Sequence, residues 1–290
     1  MKILKALKFI KNDIVCMWKG FSKICAIKVR CPELNIYTYN ALVKSIEKRN
    51  DTCHIIASGY SAVDAYKRNI MQKDDYIIGF NFAAFLPYQF DFYFCENGKQ
   101  NDMEVKLSRD LITLLSKRID NISNVVFKNI YSANLSYLKR LYNSGIGFSV
   151  VFDRQLYSAD RYQELFKKPS YFMPQYASTV ITSVMLAYHA GFKNIIIHGL
   201  DFVGPHLYHD EELQSLMNMN APTPYMPLTE KHLTANDQEL VWGKLINCFE
   251  ELGVEVYCAS DKSRFSTYAP VYQAKKDTSL DDFSIEEEDI

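Results

Sequence analysis

Three stretches of this 290-residue chain hold residues suited to handling anions and protons. The first is the turn Ala57-Ser58-Gly59-Tyr60-Ser61, which closes the apolar run CHIIAS and opens a helical pattern. A glycine lets backbone approach a ligand closely, and helix amides with serine hydroxyls can hold an anion. This turn is neither a full G-x-G-x-x-G nor a P-loop, so alone it is weak evidence of nucleotide binding. The second stretch, Thr182–Phe202, reads TSVMLAYHAGFKNIIIHGLDF and ends in Gly199 and Asp201. The third is His232, with Asp237 five residues on. An imidazole with a reference pKa of about 6.5 suits a general base near neutral pH. Tyr208 lies between His206 and His209 on the irregular segment after Phe202.

Each group also has a plainer reading. Thr182 and Ser183 suit the start or packing of a helix, and Asp201 suits the cap of a turn. His198 lies in an apolar strand and is expected to be a packed core histidine. His206 and His209 are left open between phosphate contact and solvent exposure.

Placing these groups requires an alternating fold. Cys53–Ser58, Tyr76–Phe80, Phe90–Cys95, Asn124–Lys128, Asn194–His198 and Val254–Cys258 read as buried strands. Helices are expected over Ala62–Gln72, Val105–Arg118, Leu135–Tyr142, Arg154–Lys167, Gln175–Ala190 and Ala235–Leu252. Gly191 and Gly253 supply natural stops for the last two. Strand-helix alternation implies a mostly parallel sheet with right-handed crossovers. Its ligands belong at the carboxyl ends of the strands. Asn81 and Glu96 follow two of those strands directly. The irregular Pro- and Met-bearing segment 203–231 reads as a lid.

Bulk properties narrow the class. The chain is 48% hydrophobic with net charge -1, enough for one large α/β domain. Seven cysteines with no CxxC pair argue against a disulfide framework or zinc site and fit a reducing cytoplasm. No nucleic-acid partner is expected. Residues 1–30 carry eight Lys or Arg and one acid, and their apolar positions recur at helical spacing. That pattern predicts a basic amphipathic helix on an anionic membrane surface, with packing on the domain or on a partner as the alternative. From Asp277 onward there are seven acids and no base, so 276–290 is expected to be a solvated tail.

Taken in order, the motifs resemble the bacterial sialyltransferases of glycosyltransferase family 42. The likeness covers about residues 53–260. It rests on the Ala57–Ser61 turn, Asn81 in GFNF, Thr182-Ser183, HGLDF at 198–202, and His232 with Asp237 before a V-x-V-Y-C strand. It implies a Rossmann-like, GT-A-variant, sialyltransferase-like domain over 50–270 that uses a CMP-sugar. Ser58, Gly59, Ser61 and Asn81 would then face CMP, with Cys95, Glu96 or Asn97 completing the third strand end. Thr182 and Ser183 would face the donor sugar, while Asp201 and the Gly199 backbone would lie near the nucleoside. His232 would be the general base and Tyr208 the phosphate donor. The family's first-turn asparagine is Ser58 here, its next proline is Tyr60, an acceptor-side arginine is Val180, and a second tyrosine is Val203.

The expected function is transfer of a keto sugar, sialic acid before Kdo, from its CMP ester to a glycan or glycolipid acceptor of a bacterial surface polysaccharide. The site would be at the inner face of the cytoplasmic membrane. No cofactor and no metal are expected, since the chain has no Asp-x-Asp. A homo-oligomer is compatible with the sequence. A retaining Kdo transferase would need a carboxylate nucleophile, with Asp201 and Glu96 as the acids to inspect. A pterin diphosphokinase-like enzyme would need ATP, a divalent ion and clustered carboxylates. A non-enzymatic scaffold with a vestigial cleft completes the alternatives.

Overall fold

The computed structural model describes residues 2–95, 102–128, 135–155, 159–175, 178–222 and 233–274. Runs such as NIIIH and YIIGF are apolar on both strand faces, as a sheet covered on both sides requires. In chain order the elements are α1 (Lys2–Arg30), β1 (Ile36–Tyr37), α2 (Tyr39–Lys44), β2 (Thr52–Ile56), α3 (Ser61–Lys67), β3 (Tyr76–Phe80), β4 (Phe92–Cys95) and α4 (Asp102–Arg118). They continue with β5 (Val125–Phe127), α5 (Leu135–Asn143), β6 (Ser149–Val151), β7 (Asp153–Gln155), β8 (Met173–Gln175) and α6 (Thr179–His189). The last are β9 (Asn194–His198), α7 (Glu211–Met217), α8 (Leu233–Glu251) and β10 (Glu255–Cys258).

Among the described residues, eight strands form one sheet in the order β1-β6-β5-β4-β3-β2-β9-β10, and each of these pairings is parallel. The expected class, a mostly parallel α/β sheet flanked by helices, is therefore the architecture found. From β2 the chain steps outward through β3, β4, β5 and β6, then returns to lay β9 on the other side of β2. The strand order reverses between β2 and β9. Two loops part there at the carboxyl ends, and an open α/β sheet has its crevice at such a point.

The two faces bury different sets of side chains. One core contains Ile55, Ile195 and Ile197 with α6 and α8, where Trp242 and Phe249 are fully buried. The other contains Ile56, Phe85, Tyr93 and Leu115. Helix α6 is apolar along its length, and Thr179 to Ala187 are all buried. Ser178 caps it, its side chain accepting from the Ile181 amide, and Gly191 at φ +85° ends it.

Several boundaries differ from the sequence expectation for local reasons. Helix α6 begins at Thr179 and not Gln175, because Met173–Gln175 pairs with Asp153–Gln155 in a two-stranded sheet. That same pairing turns the start of the expected Arg154–Lys167 helix into a strand, followed by a 3-10 turn over Ala159–Phe166. Helix α3 stops at Lys67, and Asn69 at φ 47° turns the chain toward β3. Helix α1 exists, but its last turns pack on the domain: Ile24 and Ile27 are buried with Cys31 and Leu34. Pro32 prevents continuation, and Lys28 donates to the carbonyls of Pro32 and Leu34 at 2.5 and 2.7 Å. The expected lid is in part fastened down. Leu207 N–H donates to the Ser58 carbonyl at 2.9 Å, and Tyr60 N–H to the Pro205 carbonyl at 3.1 Å. The 223–231 part of that segment and the acidic tail lie outside the described residues.

Candidate active site at the strand reversal

The crevice forms where the ladder of β2 and β9 runs out. Ile56 pairs with His198, and the Ala57 and Gly59 amides then donate to the carbonyls of His198 and Gly199 at 2.9 and 3.0 Å. The two turns meet backbone against backbone. A side chain on Gly59 would lie 2.6 Å from Asp201 Oδ2 and closer still to the Gly199 carbonyl. One on Gly199 would lie 2.9 Å from the Ala57 and Gly59 carbonyls, and Gly199 also sits at φ +65°. Both glycines are thus required by the junction itself. Phe202 adopts φ 60°, a region that bulky residues avoid, so the loop leaving β9 is held in a strained shape.

Asp201 crosses this junction to α3. Its Oδ2 accepts from the Ser61 amide at 2.9 Å, and its Oδ1 accepts a short bond from the Ser61 hydroxyl. A carboxylate therefore caps the N-terminus of α3, where Tyr60 provides no side-chain cap. A cavity of about 130 Å³ opens beside it, lined by Ser58, Gly59, Phe80, Val180, Asp201 and His206 among others. Asn81 begins the turn after β3, one strand from β2, in the left-handed region at φ 52° that asparagine tolerates. Its carbonyl accepts from the Tyr93 hydroxyl.

The structure therefore brings Ser58, Gly59, Ser61, Gly199 and Asp201 together, with Asn81 on the neighbouring strand end. It places Thr182 and Ser183 differently. Both are buried, and their hydroxyls donate back to the carbonyls of Ser178 and Thr179 at 3.3 and 2.9 Å. From α6 it is Val180 that lines the cavity. The Tyr208 ring is buried in the core against Phe82 and Phe85 and stacks on His206. His232 and Glu96 lie outside the described residues.

His206 is the residue that sequence reasoning left undecided. It lines the cavity, and its Nδ1 donates to the Ser58 carbonyl at 3.3 Å. Burial lowers its pKa, so the ring is neutral at pH 7. The signal was present in HGLDFVGPH: eight residues after His198 is enough chain to return to the first turn, and Gly59 and His206 do form an antiparallel bridge. His198 is fully buried, as expected of a core histidine. Its Nε2 lies 2.8 Å from His54 Nδ1, whose other nitrogen contacts Asp75 at 2.9 Å. Burial and the neighbouring His54 push the His198 pKa well down.

No family model matches the chain, and no curated protein does. Among solved structures it is similar to the monofunctional alpha-2,3-sialyltransferase Cst-I from Campylobacter jejuni, at 16% identity and a TM-score of 0.44, over 82% of this chain and 89% of that one. It is also similar to the sialyltransferase CstII from Campylobacter jejuni in complex with cytidine-5'-monophosphate, at 13% identity and a TM-score of 0.45, over 79% and 87% of the two chains.

Proposed function

We propose that this chain is a glycosyltransferase that moves a keto sugar from its CMP ester to a surface-glycan acceptor at the inner face of the cytoplasmic membrane. The observation carrying this reading is the crevice at the β2/β9 reversal, with Asp201 held at its floor by Ser61. A fixed carboxylate there accepts hydroxyl donors and repels phosphate. It favours ribose hydroxyls beside Asp201 and the phosphate farther along the rim, toward Asn81.

In the reaction, the bond from the anomeric carbon to the CMP oxygen breaks, and its electron pair stays on the phosphate. The acceptor hydroxyl bonds to that carbon and gives its proton to His232. A base so placed contributes about 10²–10⁴-fold. Thr182 and Ser183 are assigned to the donor-sugar side, which requires their hydroxyls to turn from the helix carbonyls they now bond. Tyr208 is assigned to the phosphate, with His206 between its ring and the crevice. Sialic acid is the preferred donor and Kdo the second. Both Asp201 oxygens are engaged by Ser61, which favours a positioning role over that of a nucleophile. Among the described residues no group of three His, Cys, Asp or Glu could hold a metal ion. Calorimetric titration with CMP, CMP-sialic acid and CMP-Kdo tests the reading, and absence of binding to all three refutes it. His232→Ala is expected to abolish transfer and spare CMP affinity.

A further inference from the structure

Helix α1 spans 29 residues, and its last turns are built into the domain. Upstream of Ile24, four large apolar residues face solvent: Ile14 at 55% exposure, Val15 at 41%, Trp18 at 71% and Phe21 at 53%. At 100° per residue, Ile14, Trp18 and Phe21 share an arc of about 60°. The buried residues Gly20, Ile24 and Ile27 lie roughly 120° around the helix from it. The strip therefore looks away from the fold. The Trp18 and Phe21 ring centroids are 6.5 Å apart, and Lys11 and Lys19 are exposed beside them.

We infer that this strip is a docking surface for an anionic phospholipid bilayer, with the buried end of α1 acting as a rigid bracket to the domain. Charge selects this occupant. The first 30 residues carry eight basic side chains and one acid, so a second copy laid strip against strip would bring like charges together, whereas anionic headgroups attract them. No helix among the described residues is long and apolar enough to cross a membrane, so the geometry is that of a helix lying in the interface. The inference rests on α1 alone and stands apart from the donor reading.

The full chain is mixed with vesicles of phosphatidylcholine alone or with 30% phosphatidylglycerol, and tryptophan emission is recorded. Of the two tryptophans, Trp242 is fully buried, so a change reports Trp18. The expected result is a blue shift with the anionic vesicles, quenching by brominated acyl chains, and weakening in 0.5 M salt. In co-sedimentation, the double variant Trp18→Ala/Phe21→Ala should lose at least tenfold in partitioning, and Lys11→Glu/Lys19→Glu about tenfold at low salt. CMP titration of the same samples should be unchanged, which separates failure here from failure of the donor reading. No shift on anionic vesicles, or wild-type partitioning by the Trp18/Phe21 variant, overturns the inference. So does a concentration-dependent dimer abolished by that variant, which would assign the strip to a second copy.

Discussion

Gly59→Ala tests whether the crevice is built by contact between the two turns. The new methyl would sit 2.6 Å from Asp201 Oδ2 and nearer to the Gly199 carbonyl, which is backbone and has no rotamer to yield. The ends of β2 and β9 must then separate. Overpacking of this kind costs about 1–3 kcal/mol. Losing the Gly59–Gly199 and Ser61–Asp201 amide bonds adds about 0.5–1.5 kcal/mol each. The sum is roughly 2–6 kcal/mol, a large share of a typical stability of about 5–15 kcal/mol. Urea unfolding measures it, with Gly147→Ala as the control. Gly147 has open space where a methyl would go and no positive φ, so the same chemical change there should be neutral or stabilise by up to about 1 kcal/mol. CMP affinity of whatever folded Gly59→Ala remains should fall by more than tenfold. If the two variants unfold within 0.5 kcal/mol of one another, the close approach is not what shapes the site.

Asp201→Asn keeps the shape but leaves one oxygen to face two donors on Ser61; it should destabilise by about 1–3 kcal/mol and weaken CMP binding, while Ser61→Ala should cost less. Calorimetry on both variants checks the ordering. Acid should destabilise the fold through His189, whose pKa burial lowers to about 4, with its Nδ1 2.7 Å from the Tyr39 hydroxyl. Its folded pKa lies below the unfolded value near 6.5, so its contribution is complete above pH 6.5 and is lost as pH falls toward 4. Between pH 7 and 5 this amounts to about 2 kcal/mol in urea unfolding, a slope that His189→Gln should flatten.

The central strands were legible because sequence and burial agree there. NIIIH and YIIGF are strands at the residues read, since runs of apolar side chains without helical spacing fit a sheet covered on both faces. The edge strand Ile36–Tyr37 and its neighbour Ser149–Val151 were not legible. Two or three residues carry no period, and the pairing between these two strands joins positions more than a hundred apart. The split of α1 was equally hidden: Trp18 and Ile27 are both large, apolar and on a helix, and only tertiary contact makes one exposed and the other buried. Within the site, the turn residues and Asp201 were readable from their places after strands. The turning of Thr182 and Ser183 toward their own helix carbonyls was not, because hydroxyls buried in a helix have that option at almost any position.

Asp201 gives the crevice a direction that fold alone does not. In many nucleotide-binding sheets the first helix N-terminus receives a phosphate. Here Asp201 already supplies the negative charge to α3, and its two oxygens take the amide and the hydroxyl of Ser61. A phosphate at the same place would meet a carboxylate instead of free amides. The neutral partner of a nucleotide, its sugar hydroxyls, is the part compatible with that end. A phosphate is then left to the rim toward Asn81, one strand spacing of about 4.8 Å away from β2. Under the proposed function, this orientation would make Asp201 and Ser61 determinants of nucleoside affinity and would direct the reacting bond away from α3 toward the strands that the chain lays down next.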